Sequence, residues 1–459
     1  MLHGAKRVIY PCLKFMFNVG ECMFRDGEHM FRIGERMFTN AKHKISREVI
    51  SFLTAMTVFL IGIRLKQHPD LGLHKKNTTK RWNSFSNSSY LWTNNPFPMN
   101  NSSSNCFANR LASLDVLRGL DLFLLVFFQP VFMKLARALD WPLLEPFVYQ
   151  LRHEPWEGFR CWDMIMPLFM FMAGAAMPFS LSKYKNNTPA LWKKVMRRFA
   201  ILFILGMIGQ GNLLGLDPND IHLYVNTLQA IGAGYVITAF FLTYFNRKGQ
   251  ILATALLLII YWVPMTFCGD WTPEGNFAYK VDQLIMGRFC GNPHYTWIWS
   301  SLTFGVTVML GAFAGQIMKE GQANRMKACI TLLVAGIALT IAGLTWSLQM
   351  PIIKHIWTCS MTLFAGGISF MLMALAYYIV DCRRWQKGLN WLKIYGMNSI
   401  VAYMIGEYIS FKSIVDSVCY GLRQYLGDAG YNAWITFGNC LIVFLILRWM
   451  YNQRIFIKI

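Results

Sequence analysis

Ten apolar segments decide most of what this chain can fold into. They cover about residues 114–137, 161–182, 195–214, 223–245, 250–267, 297–318, 328–347, 356–380, 391–411 and 431–451. Each is near the roughly 20 residues that an α-helix needs to cross the hydrocarbon of a bilayer. In lipid every backbone N–H and C=O must be paired inside the protein, which only helices and closed barrels achieve. The alternating ten-residue blocks of a membrane barrel are absent. The expected fold is therefore all-α, a polytopic transmembrane helical bundle of ten core helices. A 15-residue apolar run at 49–63 would allow one more N-terminal helix.

Charge then orients the bundle. Charged residues make up only 15% of the chain, yet the net charge is +21. Such an excess can signal nucleic acid, but no soluble stretch is available to carry a basic face. No nucleic-acid partner is expected; the lipid bilayer is. Lysine and arginine collect in cytoplasmic loops of membrane proteins. Segments 183–194, 246–249, 319–327, 381–393 and the tail after 451 hold Lys183, Lys185, Lys193, Lys194, Arg247, Lys248, Lys319, Arg325, Lys327, Arg383, Arg384, Lys387, Lys393, Arg454 and Lys458. The longer alternate loops hold only Arg152, Arg160, Lys280, Arg288, Lys354, Lys412 and Arg423. Fifteen charges against seven put both ends of the core in the cytoplasm and the loop around His153 outside. A bacterial inner membrane is the expected location.

The organisation along the chain follows from composition. Residues 1–48 carry a basic near-repeat of seven beginning at Met16, Met23, Met30 and Met37, with glycine inside most units and no second apolar seam, so a zipper is not expected. This extension would allow loose membrane-surface contact or could be non-native, in which case Met99 would make an alternative start. Residues 49–63 read as a membrane anchor. Residues 64–110 read as a polar, Asn/Ser-rich linker with Asn-x-Ser/Thr sequons at Asn77, Asn87, Asn100 and Asn101. Residues 111–459 form the transmembrane domain. The eleven cysteines include no CxxC pair, and no metal-ligand cluster is visible. Cys268 and Cys290 share one external loop, where a disulfide and two free thiols are equally open readings.

Polar residues inside spans are costly and default to functional candidates. Asp115 and Arg118 stand three apart on one helix face, where they could bind a ligand or simply pair. Gln129 follows in the same segment, just before Pro130. The segment HEPWEGFRCWDMIMPLFMFMAG, 153–174, sets His153, Trp156 and Arg160 ahead of Asp163 at the start of the second span. An imidazole titrates near neutral pH, and a nearby carboxylate fixes its tautomer, which suits proton abstraction. A lone loop histidine is also often structural, so the pattern alone leaves both readings open.

The same residues resemble a known family. His153, Trp156, Gly158, Asp163, Pro167, Phe169, Phe171 and Gly174 fit the spacing of a motif of the heparan-α-glucosaminide N-acetyltransferase family. SLDVLRG (113–119), NTLQAIGAGY (226–235), GMNSIVAYMIGE (396–407) and RIFIKI (454–459) resemble further stretches of it in the same order. The resemblance covers roughly 110–459. It implies a transmembrane acetyltransferase that takes an acetyl group from cytoplasmic acetyl-CoA to the amino group of a glucosamine-type sugar outside. His153 would be the general base or a transient acetyl carrier, and Asp163 would orient it. Gln229 falls in a matched stretch, Asn398 and Ser399 would line the passage for the thioester, and Glu407 would bind acceptor. Lys193, Lys194, Arg197 and Arg198 would meet the phosphates of acetyl-CoA, or simply anchor the helix at the membrane surface. No metal is implied, and a homodimer is compatible with the reading.

The departures from the family pattern bear on the acceptor. Gln129 stands where the family has asparagine, leaving a displaced catalytic carboxamide; Ala230 replaces an arginine and Gly406 a histidine. O-acetylation of a cell-envelope polysaccharide is the nearest alternative chemistry. A membrane transporter is the alternative of another class, although such proteins usually show internal repeats, and these motifs occur once each.

Overall fold

A computed structural model of the protein describes residues 111–184, 186–209, 221–291 and 294–457. The expectations for residues 1–110 lie outside these. The described residues are helical apart from turns and one isolated bridge between Glu157 and Ile353.

Helix α1 (Ala112–Phe123) runs through a wide π turn at Leu124–Phe128 into α2 (Gln129–Leu139). Pro130 explains the widening, since its ring displaces the carbonyl four residues back and it has no N–H to return. A short α3 (Glu145–Gln150) precedes the His153 loop. Then follow α4 (Ile165–Ala175), α5 (Met177–Ser180), α6 (Thr188–Gly209), α7 (Thr227–Tyr244), α8 (Arg247–Phe267) and α9 (Phe277–Met286). The chain continues through α10 (Ser301–Glu320), α11 (Arg325–Trp346), α12 (Cys359–Tyr377), α13 (Asn390–Met397), α14 (Ser399–Tyr408), α15 (Lys412–Cys419) and α16 (Arg423–Asn452).

Among the described residues eight stretches are long and apolar enough by themselves to cross a membrane, where ten apolar segments were expected. The chain is thus an all-α, multi-pass membrane protein. The third expected segment, 195–214, runs past Gly209, where the description stops, and its described helix starts at Thr188 and so includes Lys193, Lys194, Arg197 and Arg198. The ninth is broken at Asn398, whose φ/ψ of −116°/43° separates α13 from α14.

Contacts between loops define two faces. On one, Trp156 Nε1 donates to Trp271 O at 2.7 Å, Gly158 N to Ile352 O at 2.8 Å and Thr296 N to His355 O at 3.2 Å. Leu223 N donates to Phe289 O, and Asn226 Nδ2 to Tyr408 Oη, on the same face. On the other, Lys319 Nζ donates to Pro178 O at 2.8 Å, Arg325 Nη1 to Asp381 O at 2.8 Å and Ser113 N to Asp381 Oδ2 at 3.2 Å. The loops rich in lysine and arginine are therefore gathered together, and those poor in them are gathered opposite.

Small residues let the helices touch backbone to backbone, as membrane bundles require. A Cβ on Gly174 of α4 would lie 1.9 Å from Val308 O, and one on Gly311 of α10 would lie 1.9 Å from Phe171 O. Any larger side chain at either position would drive α4 and α10 apart. The outward faces of α8 and α11 stay apolar and exposed, including Leu252, Ile259, Ile330 and Val334. These are the surfaces a bilayer would cover.

Candidate active site

The site is assembled where a 3-10 turn, Cys161–Met164, opens α4. Asp163 lies in that turn with its side chain 1% exposed. Its Oδ2 accepts from Arg160 N at 3.0 Å and Glu154 N at 3.2 Å. Its Oδ1 faces His153 Nδ1 at 2.7 Å and Lys354 Nζ at 3.2 Å. A carboxylate offers about four lone-pair sites, and here four nitrogens surround it, as burial of an ionised group demands.

That geometry fixes the histidine. A bare Nδ1 lone pair held 2.7 Å from an ionised oxygen would be repulsive, so Nδ1 carries the proton and donates to Asp163. The opposite ring nitrogen, Nε2, then holds a lone pair. The His153 side chain is 46% exposed, so the imidazole is clamped at one end and open at the other.

Lys354 is the component that sequence reasoning missed as a site residue, counting it only among the external charges. Its Nζ lies 2.9 Å from His153 Nδ1, across 201 positions of sequence, and its side chain is 8% exposed. Burial pushes the ammonium below the usual lysine range, and the Asp163 carboxylate opposes that. Backbone geometry brings it there. Gly158, at φ 126°, turns the first loop so that its N–H meets Ile352 O, beside the Glu157–Ile353 bridge. Trp357, at φ 53°, closes the turn after Lys354, a conformation that costs a bulky residue energy. Its burial offsets that cost, with Nε1 donating to Thr307 Oγ1 at 2.9 Å and the ring edge-on to Phe304. Ile356 O accepts from both Tyr261 Oη and Ser300 Oγ, which pins the turn to α8 and α10.

Aromatic rings wall the site. Trp156 stacks on His355 at 5.5 Å between centroids, and Tyr295 meets the same imidazole at 4.5 Å. Burial, then the Lys354 charge, push the His355 imidazole down to about 4, so it is neutral at physiological pH. Arg160 is held by Glu154, with Nε to Oε2 at 2.7 Å, and lies over the Tyr149 ring. Gln129 Nε2 donates to Leu151 O at 3.4 Å, tethering the loop that carries His153.

The remaining predicted residues sit elsewhere. Asp115 and Arg118 pair at 3.7 Å, and Arg118 Nη2 also donates to Met172 O, near the end of α4 away from His153. Lys194 and Arg198 lie over the rings of Tyr184 and Tyr235, while Lys193 and Arg197 are exposed. Gln229 folds back on its own helix start, accepting from Val225 N and Asn226 N and donating to Leu223 O. Asn398 Nδ2 donates to Ile455 O at 3.0 Å, and its Oδ1 accepts from Ile457 N at 3.1 Å. Ser399 is half-buried beside it, and Glu407 is exposed in the last turn of α14. Cys268 and Cys290 are both free thiols. Among the described residues no group of histidine, cysteine and carboxylate side chains is arranged to hold a metal ion.

Residues 110–355 match the model of a family described as heparan-α-glucosaminide N-acetyltransferase, catalytic, and the match takes in His153, Asp163 and Lys354. The chain belongs to this family. A family relative from mouse, heparan-α-glucosaminide N-acetyltransferase, is 23% identical over 364 residues, covering 65% of this chain and 53% of the relative. The chain thus spans about half the length of that relative. Within the heparan-α-glucosaminide N-acetyltransferase family, the matched region of this chain ends at the turn that carries Lys354 and His355.

Proposed function

We propose that this protein is a membrane-embedded acetyltransferase that moves an acetyl group from acetyl-CoA to the amino group of a glucosamine-type sugar. The observation that carries the reading is the His153–Asp163 pair, with Nδ1 held at 2.7 Å and the Nε2 end open to an entering amine, inside the region matched to the catalytic family model.

The chemistry follows from that tautomer. The acceptor nitrogen attacks the thioester carbonyl, a C–N bond forms and the C–S bond breaks. The amine proton passes to His153 Nε2, and the departing CoA thiolate takes up a proton. Asp163 holds the ring in the base-ready tautomer and balances the imidazolium as it forms. Trp156, Arg160 and Gln129 shape and brace the loop that presents His153.

The positively charged face supports a cytoplasmic donor side, with His153 facing the lumen or periplasm. Lys193 and Arg197, exposed on that face of α6, are the cations best placed to meet the acetyl-CoA phosphates. Sealed proteoliposomes test the sidedness. Labelled acetyl-CoA added on one side and glucosamine trapped on the other should give labelled N-acetylglucosamine in the acceptor compartment. Product only when both substrates share a compartment would contradict transfer across the membrane, and acetylation of hydroxyl acceptors alone would contradict the amine chemistry.

A further inference from the structure

We propose that Lys354 is a positioning residue for this reaction: its ammonium shares the Asp163 oxygen with His153 and sets the pH at which the imidazole can work as a base. The inference rests on the proposed role of His153.

The geometry separates this from plain neutralisation of a buried carboxylate. With Oδ2 filled by Arg160 N and Glu154 N, the ammonium must share Oδ1 with His153. Sharing it brings Lys354 Nζ against the ring, 2.9 Å from His153 Nδ1 and 3.2 Å from Asp163 Oδ1. Nδ1 has one site for a partner, and its proton goes to the closer carboxylate oxygen at 2.7 Å. The ammonium therefore donates to Oδ1, and the ion pair it makes there holds its positive charge against the ring. It holds Oδ1 in line with Nδ1, and it opposes the second positive charge that appears when Nε2 takes a proton. A base braced in this way releases its proton readily once the amine has attacked. The chain invests in the placement, because both loops that carry the pair contain a residue with positive φ, Gly158 and Trp357.

The other titratable groups around His153 are accounted for by element. Asp163 comes from the turn opening α4, and Glu154 and Arg160, from the His153 loop, are paired with each other. His355 shares the Lys354 turn and is held neutral, and Tyr295 comes from the loop before α10, its hydroxyl pushed up by burial and by Asp163. His294, beside Tyr295, is the other imidazole at the site, edge-on to Trp156. Removing it separates its titration from that of His153.

The test is kcat/KM for acetyl transfer to glucosamine from pH 5 to 9, using the full chain purified in detergent. Variants are Lys354→Met and Lys354→Arg, each also in a His294→Gln background, with His153→Ala as reference. Loss of the positive charge favours the imidazolium, so the acid limb of the Lys354→Met profile should move up by about one pH unit. Lys354→Arg should keep the wild-type limb. A profile that drops by the same factor at every pH, or does not change, would overturn the proposal and leave Lys354 a structural partner. If Lys354→Met is not monodisperse, Lys354→Gln keeps a donor to Oδ1 without the charge and is read in the same way. Transfer that survives His153→Ala would remove the underlying reading, whereas transfer lost there with an unmoved acid limb in Lys354→Met would remove this one alone.

Discussion

Gly158 donates its backbone N–H to Ile352 O at 2.8 Å, and with the adjoining Glu157–Ile353 bridge this bond ties the loop of His153 to the turn of Lys354. With φ at 126°, position 158 favours glycine, and a Cβ there would also stand 3.1 Å from Glu154 Cγ. Gly158→Ala should cost about 1–3 kcal/mol of local strain. It should lower kcat for acetyl transfer by about tenfold or more while the protein still elutes as wild type. A variant with wild-type kcat would show that the two loops need not be joined.

Asp163→Asn tests the tautomer. The amide can present its NH₂ to Nδ1, which would reverse the ring and place the proton on Nε2. Transfer should fall on the order of 10²–10⁴-fold, with a much smaller change in KM for acetyl-CoA. An equal loss from raised KM alone would assign Asp163 to donor binding instead.

Asn398 has both ends of its amide on the C-terminal backbone, at Ile455 O and Ile457 N. Two such bonds contribute roughly 1–3 kcal/mol. Asn398→Ala should lower the thermal midpoint, and removal of residues 455–459 should add little on top, because the two changes delete one interaction. A raised KM for acetyl-CoA at an unchanged midpoint would point to contact with the thioester.

Asp282, outside the membrane spans, gives a pH signature to stability. Its carboxylate accepts from Trp297 N at 2.7 Å and Ile298 N at 2.9 Å, yet burial outweighs these and raises it from 3.8 to about 6. A group raised in the fold binds more protons folded than unfolded. Its stabilisation is present below about pH 4 and is lost as pH rises through about 6. The wild-type thermal midpoint, taken relative to Asp282→Asn, should therefore fall across that interval, by the equivalent of about 1–3 kcal/mol. A parallel pair of curves would contradict the assignment.

The membrane bundle was legible because an apolar run of about 20 residues has few other uses, and loop charges sorted its loops into the two groups that the contacts bring together. His153 and Asp163 were legible because they lie ten residues apart in one short segment. Lys354 was not, since it arrives from 201 positions away and its charge looks like any other loop cation. The break at Asn398 was hidden in a segment that reads as one apolar run, and the partner that satisfies its amide lies at the far end of the chain. Four basic residues on α6 read as one patch, but helical spacing puts Lys194 and Arg198 over aromatic rings and leaves Lys193 and Arg197 exposed.

The most direct test of the account is transfer of labelled acetyl from acetyl-CoA to glucosamine by the purified protein, comparing wild type with His153→Ala at matched thermal midpoints. The prediction is labelled N-acetylglucosamine from the wild type and a loss of at least about 100-fold in the variant. Transfer at the wild-type rate by His153→Ala would contradict it.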